Sequence, residues 1–340
     1  MRSRAVTVPR ARGETVRRAL ADANLLRRDL QIRTEADSVV LPVVPDGPLR
    51  PEWGVVGDAE FDPRAPDGPA DYRELVVATE EERAQLPRSF DVVGDVVLVR
   101  LPLSWRARGT EIGDALLRFV PHARIVGWDR GVHGVDRRRQ IERLAGTGGW
   151  ATVHRENHLD LEVDLERAYF SPRLALEHAR VAAEVRAGER VYDLCCGVGP
   201  FAIHIARDGR AREVVAVDSN PDAIRLLRRT LAKYPFGARV ASVERRVEEF
   251  LLGVPPCERA ILNLPHEGIK YAPSVGSSVA PGGSFHYYEI VPRSEFERRG
   301  DVIAQSLGPE GTWDPAGARV VHPYSPDADL VGFTFFRRGG

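Results

Sequence analysis

The chain has 340 residues, of which 43% are hydrophobic and 29% are charged, and its formal net charge is −1. These values are typical of an ordinary soluble globular protein with two or three domains, and they argue against a surface coated with positive charge for binding nucleic acid. No apolar run approaches the roughly 20 residues that span a bilayer, and the arginine-bearing N-terminus lacks the apolar stretch of a secretory signal, so we expect a cytoplasmic protein with no membrane partner.

The first predicted unit is a small α/β region over residues 3–44. The segment Arg4–Val8 predicts a strand, and GETVRRALADANLL predicts an amphipathic helix with Val16 and Leu20 on one face. The segment SVVLPVV predicts a second strand. Residues 1–40 hold nine arginines against five acidic residues, which predicts a local patch able to bind phosphates. Lysine occurs only twice, so we attribute the general use of arginine to GC-rich coding.

A loop or linker is predicted from Pro45 to Pro69, where proline, glycine and aspartate are frequent. The middle region that follows mixes strands and helices. Its predicted elements are the strand Val96–Leu101, the helix GTEIGDALLRFVP and the strand ARIVGW. The segments VDRRRQIERLAG and ATVHRENHLDLEVDL come next.

From about Glu166 onward, strands and helices alternate strictly. The predicted strands are RVYDLCCG, EVVAVDSN, ARVASVERR, RAILNLP and GGSFHYYEI, with helices such as PFAIHIARDG and PDAIRLLRRTLAKY between them. This alternation predicts an α/β fold with a parallel, doubly wound sheet, an architecture typical of nucleotide-cofactor proteins. We therefore predict three domains, covering residues 1–66, 67–165 and 166–340.

A cofactor site is predicted where the first two strands of this region end. Gly197 and Gly199 follow Asp193 at the turn into a helix, and glycine lets the backbone approach a ligand closely. Asp218 ends the next strand, about 20 residues later, where a carboxylate can accept hydrogen bonds from ribose hydroxyls. A dinucleotide site has similar features and tolerates Ala202 in place of its third glycine, so the glycines alone leave that alternative open.

The segment ILNLP places Asn263 at the end of another strand, followed by Leu264 and Pro265. An asparagine in this position, stiffened by a nearby proline, can offer its side-chain carbonyl to a planar N–H group. An ordinary loop turn is the alternative interpretation.

These motifs resemble a known family. The pattern DxxxGxG followed by VDxNP resembles motifs I and II of class I S-adenosylmethionine (SAM) methyltransferases, and ILNLP resembles the Asn-Pro-Pro-aromatic motif of amino-group methyltransferases. Together with AYFSPRLALEHARV, HYYEI and RVVHPYSPDADLVGFTFF, nearly the whole chain is similar to the archaeal and eukaryotic tRNA (guanine-N1)-methyltransferases that act at position 37. The resemblance implies a Rossmann-like catalytic domain, preceded by a middle α+β domain and a small N-terminal domain that docks tRNA.

The resemblance also implies roles for particular residues. Glu177 would be the general base that takes the proton from guanine N1, and Arg137 would stabilise the negative charge on O6. Asn263 would orient the guanine edge, and Arg173 and Pro265 would contact the nucleotide. SAM would be held by Asp193, Gly197, Gly199, Asp218, Asn220, Asn263 and Tyr169.

Some features depart from the family pattern. Arg246 stands where an acidic residue commonly meets the adenine amino group, so adenine recognition would depend on backbone groups or on Glu244. His178 stands where the family has a further basic residue. Cys195, Cys196 and Cys257 lack the spacing of a zinc site, and no metal site is predicted.

Three alternatives to guanine methylation are open. The related wybutosine-pathway enzymes transfer the aminocarboxypropyl group of SAM at the same tRNA position, but they lack Asn-Leu-Pro at the strand end. A catalytically silent tRNA-binding protein would not need the complete set of motif residues. A NAD-dependent dehydrogenase would need a hydride-transfer site, which the sequence does not show. We expect a monomer.

Overall fold

The computed structural model describes residues 1–63, 69–133, 138–309 and 312–339. Within this part of the chain, no helix combines the length and the apolar character needed to cross a membrane. The chain divides into two compact units, residues 1–74 and residues 75–340.

The described part of the first unit contains a four-stranded antiparallel sheet and one α-helix. Its elements are β1 (Arg2–Pro9), α1 (Gly13–Asp22), β2 (Arg33–Thr34), β3 (Ser38–Pro42) and β4 (Val55–Glu60), and the strand order is β2-β3-β1-β4. Val16 and Leu20 of α1 are buried against the sheet, as their spacing predicts. The prediction of a continuous loop from Pro45 to Pro69 was wrong, because β4 lies inside it. The side chains of β4 are mostly exposed, so the strand is held to β1 mainly by backbone hydrogen bonds. A strand without buried side chains shows little hydrophobic pattern in the sequence, which is why it was not predicted.

The second unit begins with a smaller sheet and a hairpin. Its first elements are α2 (Glu80–Gln85), β5 (Asp91–Val93), β6 (Val96–Val99), α3 (Gly109–Phe119), β7 (Ile125–His133), β8 (Arg138–Gly146), β9 (Ala151–Glu156) and β10 (Leu159–Asp164). Strands β5 to β8 form one sheet in sequence order, and β9 and β10 form an antiparallel pair. The predicted strands around Val96–Leu101 and in ARIVGW are confirmed as β6 and β7.

A seven-stranded sheet completes the second unit. Its elements are α4 (Ala175–Glu184), β11 (Arg190–Leu194), α5 (Pro200–Asp208), β12 (Glu213–Asp218), α6 (Pro221–Leu231), β13 (Val240–Glu244), α7 (Val247–Phe250), β14 (Cys257–Leu262), α8 (Ala272–Ser278), β15 (Val279–Pro292), α9 (Phe296–Leu307), β16 (Trp313–Pro323) and β17 (Ala328–Arg337). The strand order is β13-β12-β11-β14-β15-β17-β16. Neighbouring strands from β13 to β15 run parallel, as predicted. The sheet is mixed, however, because β17 pairs antiparallel with both β15 and β16.

This strand order decides where the predicted motifs meet. In the parallel register, Leu194 of β11 lies between Val217 of β12 and Leu262 of β14. The residues that follow these three strands therefore emerge side by side at the carboxyl edge of the sheet, where ligands of open α/β sheets bind. One continuous hydrophobic core extends from the smaller sheet, through the β9–β10 hairpin, to one face of the larger sheet.

Candidate active site

The loop between β11 and α5 contains both predicted glycines, Gly197 and Gly199, which have different surroundings in the structure. Both have left-handed backbone angles, with φ of +57° at Gly197 and +76° at Gly199. A Cβ on Gly199 would lie 2.5 Å from a methyl carbon of Leu227, so this glycine is needed for packing of the helices. A Cβ on Gly197 would meet only the backbone oxygen of Tyr169, at 3.4 Å. Gly197 therefore faces open space beside Tyr169, as a residue that lines a ligand pocket would.

Asp193 lies beneath this loop and is 1% exposed. Its Oδ2 accepts a hydrogen bond from the backbone N–H of Ala202, at 3.1 Å, whereas its Oδ1 has no partner among the described residues. Burial raises the pKa of Asp193 to about 7, and the nearby charge of Asp218 acts in the same direction, while the Ala202 hydrogen bond opposes them. A buried carboxylate oxygen without a donor is costly, so the pocket favours a ligand that brings an ammonium or N–H group.

Asp218 organises the loop from the neighbouring strand. Its Oδ2 accepts a hydrogen bond from the Gly197 N–H at 2.7 Å, and its Oδ1 accepts one from the Asn220 N–H at 2.9 Å. The Asn220 side chain caps α6 through the Asp222 N–H, and its amide donates to the Arg167 carbonyl oxygen at 2.7 Å. The polar atoms of Asn220 are thus used in structural contacts, and its predicted contact with a cofactor stays a prediction.

Asn263 follows β14 directly, next to the loop after β11. Its Oδ1 is buried and has no hydrogen-bond partner among the described residues. The carbonyl oxygen of Pro265 accepts a hydrogen bond from the Ile290 N–H at 3.3 Å, which ties the Asn-Leu-Pro segment to β15. Because Leu262 pairs with Tyr287, Asn263 lies beside Tyr288. The structure therefore has an unsatisfied amide carbonyl oxygen at the sheet edge, as expected of a group that binds an N–H donor.

Glu177 lies on α4 and is only 2% exposed. The Tyr288 hydroxyl donates a hydrogen bond to its Oε1 at 2.8 Å, and Arg180 donates to the same oxygen at 2.6 Å. Arg319, on β16, contacts its other oxygen, Oε2. Tyr288 therefore connects the predicted base to the strand beside Asn263.

The sequence interpretation missed the three residues that hold Glu177. Arg180 was detectable in principle, because it stands three positions after Glu177 on the same helix. Tyr288 lies in the HYYEI segment, but nothing in that pattern indicates which tyrosine faces the site. Arg319 comes from a distant hairpin and carries no local signal.

Of the two predicted arginines, Arg137 lies outside the described residues, and the structure does not bring Arg173 to this cluster. Arg173 is tied to the smaller sheet by an ion pair with Asp91, at 2.8 Å. A different arginine was missed: Arg139 is buried, pairs with Asp129 and donates to the Phe170 carbonyl oxygen at 3.1 Å.

The donor set fits SAM better than a dinucleotide. The unpaired oxygen of Asp193 suits the cationic amino acid end of SAM, and the open side of Gly197 leaves room for the ligand beside the Asp218 strand end. A carboxylate without a donor would repel a pyrophosphate. The Asn263 carbonyl oxygen lies at the same edge of the sheet, so this edge presents several hydrogen-bond acceptors to a ligand.

Three segments of the chain match models of known protein families. Residues 152–305 match the TRM5/TYW2 methyltransferase domain, residues 73–149 match the TYW2 N-terminal domain, and residues 5–48 match the tRNA methyltransferase 5 N-terminal domain.

Individual relatives match almost the whole chain. The tRNA (guanine(37)-N(1))-methyltransferase Trm5b of Pyrococcus abyssi is 32% identical over 340 residues, which covers 97% of this chain and 98% of that protein. The crystal structure of Trm5b from the same organism has a TM-score of 0.74 at 30% identity, covering 99% of both chains. The structure of aTrm5 in complex with tRNALeu has a TM-score of 0.72 at 26% identity, covering 98% of this chain and 99% of that one.

Proposed function

The chain belongs to the TRM5/TYW2 methyltransferase family, and on that premise we propose that it transfers the methyl group of SAM to N1 of guanine at position 37 of tRNA. Relatives that match nearly its full length carry this activity in their names. The observation in the structure that supports it best is the buried carboxylate of Glu177, which is held by Tyr288 of β15, the strand that pairs with β14 just before the unsatisfied carbonyl oxygen of Asn263. Methylation at guanine N1 requires both a proton acceptor and a group that orients the base.

SAM supplies an electrophilic methyl group on a sulfonium. In the proposed site, Asp193 accepts hydrogen bonds from its amino group and Asp218 from its ribose hydroxyls. Gly197 leaves room for the donor, and Tyr169 walls the pocket. Asn220, which caps α6, keeps the Asp218 loop in place, in addition to any contact of its own with the donor.

The proposed reaction needs a base because neutral guanine carries a proton on N1. Glu177 accepts this proton as the N1–methyl bond forms and the sulfur–methyl bond breaks, leaving S-adenosylhomocysteine. Negative charge moves toward O6 as the proton leaves, and Arg137 is proposed to stabilise it. Asn263 accepts a hydrogen bond from the guanine edge and holds N1 toward the methyl group.

Glu177 must turn one oxygen toward the guanine. Tyr288 is fully buried and holds Oε1, so it keeps the carboxylate in place. Arg319 and Arg180 both contact Oε2, and the side chain of Arg319 is 49% exposed whereas that of Arg180 is 28% exposed. Arg319 is therefore the more accessible of the two partners to an incoming RNA, and Arg180 remains to orient the carboxylate.

Binding of tRNA is proposed to involve all three regions predicted from the sequence, residues 1–66, 67–165 and 166–340. The arginine-rich first region would dock the RNA, and Arg173 and Pro265 would contact the nucleotide at the site. We infer that the protein acts as a monomer in the cytoplasm.

The direct test is transfer of labelled methyl groups from SAM to unmodified tRNA transcripts that carry guanosine or adenosine at position 37. Label is expected only in the guanosine transcript, and mass spectrometry of the nucleosides should show 1-methylguanosine. An added aminocarboxypropyl group would establish the alternative reaction. Binding of tRNA that does not depend on SAM and gives no product would instead establish a catalytically silent RNA-binding protein.

A matched pair of variants tests the base. Glu177→Gln keeps the size of the side chain but removes the proton acceptor, so methyl transfer should fall by about two to four orders of magnitude. Glu184→Gln is the control, because Glu184 lies on the same helix, is exposed and also pairs with Arg180. Similar activity in both variants, with tRNA affinity retained, would show that the base is elsewhere.

A further inference from the structure

Three buried side chains converge at α4, the helix that carries Glu177. Glu156 ends β9, His178 lies on α4 and His204 lies on α5, and their exposed fractions are 3%, 1% and 0%. The oxygen or nitrogen atoms that they would offer to a metal ion all lie within 4.8 Å of one another. The proposed reaction uses none of these side chains.

The hydrogen bonds of His204 determine which nitrogen faces the cluster. Its Nδ1 lies 2.8 Å from the Pro200 carbonyl oxygen, so this nitrogen carries the proton and Nε2 carries the lone pair. That Nε2 lies 3.3 Å from Oε1 of Glu156. Two lone-pair atoms in contact repel each other unless a cation or a proton lies between them. A histidine that donates its other N–H to a backbone carbonyl is typical of a metal ligand.

The distance between these two atoms suits a tetrahedral ion. Zinc bonds of about 2.0–2.1 Å to nitrogen and oxygen place neighbouring ligand atoms roughly 3.3 Å apart. His178 Nδ1 lies closer to Glu156 Oε1, at 2.6 Å, and would have to open by a fraction of an ångström. The Asn157 amide lies 3.2 Å from His204 Nε2, and it also donates to the Ala175 carbonyl oxygen at 3.1 Å. Asn157 therefore keeps a partner when a cation takes the nitrogen lone pair.

The cluster also holds two buried polar atoms without partners. Neither Oε2 of Glu156 nor Nε2 of His178 has a hydrogen-bond partner among the described residues. A buried polar atom without a partner is costly in a protein interior. A glutamate that binds an ion through both oxygens would satisfy Oε2 and supply the fourth donor atom, whereas Nε2 of His178 gains no partner because this histidine faces Glu156 through Nδ1.

A metal ion binds an ionised carboxylate and a neutral imidazole. The hydrogen bond from His204 Nδ1 to the Pro200 carbonyl oxygen leaves the lone pair of Nε2 facing Glu156, which is the arrangement that such a ligand needs.

We propose that Glu156, His178 and His204 bind a divalent transition-metal ion of the zinc class, with Glu156 contributing both oxygens. Two imidazoles and one carboxylate favour zinc over magnesium or calcium, which prefer oxygen ligands. The site is fully buried, so the ion is structural and does not activate water. It joins β9 to α4 and α5, and so fixes the helix of Glu177 against the helix that follows the glycine loop. The ligands come from three separate elements, which is why their spacing in the sequence resembles no metal motif.

The test is the metal content of the full-length protein, purified without a metal column or chelator. Elemental analysis should find about one zinc per chain. After removal of the metal, added zinc should raise the melting temperature, and cobalt(II) should give the intense visible absorption of tetrahedral coordination. Absence of metal after purification, together with no response of the folded wild-type protein to either ion, would overturn the proposal and leave a hydrogen-bonded His–Glu pair.

Two variants locate the ion. Glu156→Gln keeps the shape of the side chain but removes its charge, and it should abolish the cobalt spectrum and the zinc-dependent rise in melting temperature. His154→Gln is the control, because His154 is a partly buried histidine two positions away that contacts the Gly94 N–H instead; it should keep both responses. Loss of both responses in His154→Gln but not in Glu156→Gln would contradict the assigned ligands. These measurements need neither tRNA nor SAM, so their outcome does not depend on whether the proposed methyl transfer is correct.

Discussion

Alanine at Gly199 should mainly lower the stability of the protein, whereas alanine at Gly197 should mainly lower its affinity for SAM. In Gly199→Ala the new methyl group meets Leu227 at 2.5 Å in a fully buried position. Such overpacking costs about 1–3 kcal/mol, and the left-handed angle adds about 1–2 kcal/mol for a residue with a Cβ. The free energy of unfolding should therefore fall by about 2–5 kcal/mol. In Gly197→Ala only the backbone cost applies, because the nearest atom lies at 3.4 Å.

The assays are urea denaturation followed by circular dichroism and isothermal titration with SAM. Gly197→Ala should lose more affinity for SAM, because its methyl group points into the proposed pocket, whereas Gly199→Ala should lose more stability. Combining Gly199→Ala with Leu227→Ala should cost less than the sum of the two single changes, because the second change removes the contact atom. Equal loss of stability in both glycine variants, or unchanged stability of Gly199→Ala, would refute the assignment of Gly199 to helix packing and of Gly197 to ligand binding.

Two further predictions concern buried polar groups of the site. Tyr288→Phe removes the hydrogen bond to Glu177. Because hydrogen bonds to charged groups contribute about 1.5–3 kcal/mol, single-turnover methyl transfer should slow by roughly ten- to a hundredfold. The control Tyr287→Phe alters the opposite face of the sheet and should not slow the reaction, so an equal effect in both variants would contradict the positioning role of Tyr288. The pKa of Asp193 is raised in the folded protein to about 7 from 3.8. The folded state therefore holds the Asp193 proton more tightly than the unfolded state does. The stability that this group contributes is complete below about pH 4 and is lost as the pH rises through 7. Urea denaturation without SAM at pH 5, 6 and 8 should show the wild type losing stability relative to Asp193→Asn across this range, and a constant difference would contradict the assignment.

The elements that the sequence predicted well are those whose burial leaves a regular pattern. The parallel strands β11, β12 and β14 are apolar runs with Asp or Asn at or next to their carboxyl ends, because they are buried on both faces and the polar residue lies near the sheet edge. Strand β4 was missed because its side chains are exposed. The antiparallel direction of β17 was missed because a strand's direction depends on the connection before it, which local periodicity does not record.

The candidate site was predictable only where its residues stand in contiguous motifs. Asp193, Asp218 and Asn263 lie at or next to the carboxyl ends of strands that the pattern identified, so the topology placed them at the same edge of the sheet. Two of the partners of Glu177, Tyr288 and Arg319, come from β15 and β16, more than a hundred residues along the chain, and no spacing rule relates them to Glu177. Burial of Glu177 was equally invisible, because the amphipathic pattern of α4 alone would not require a charged residue in the core.

The position of β17 has a practical consequence for fragments of the protein. This strand comes late in the sequence but lies between β15 and β16. A fragment cut to the matched catalytic range, residues 152–305, would omit both β16 and β17. The backbone of β15 would then be an unprotected edge, and buried aromatic side chains such as Phe285 and Tyr287 would become accessible to other chains. Such a fragment should aggregate, even though it contains every predicted contact residue for SAM.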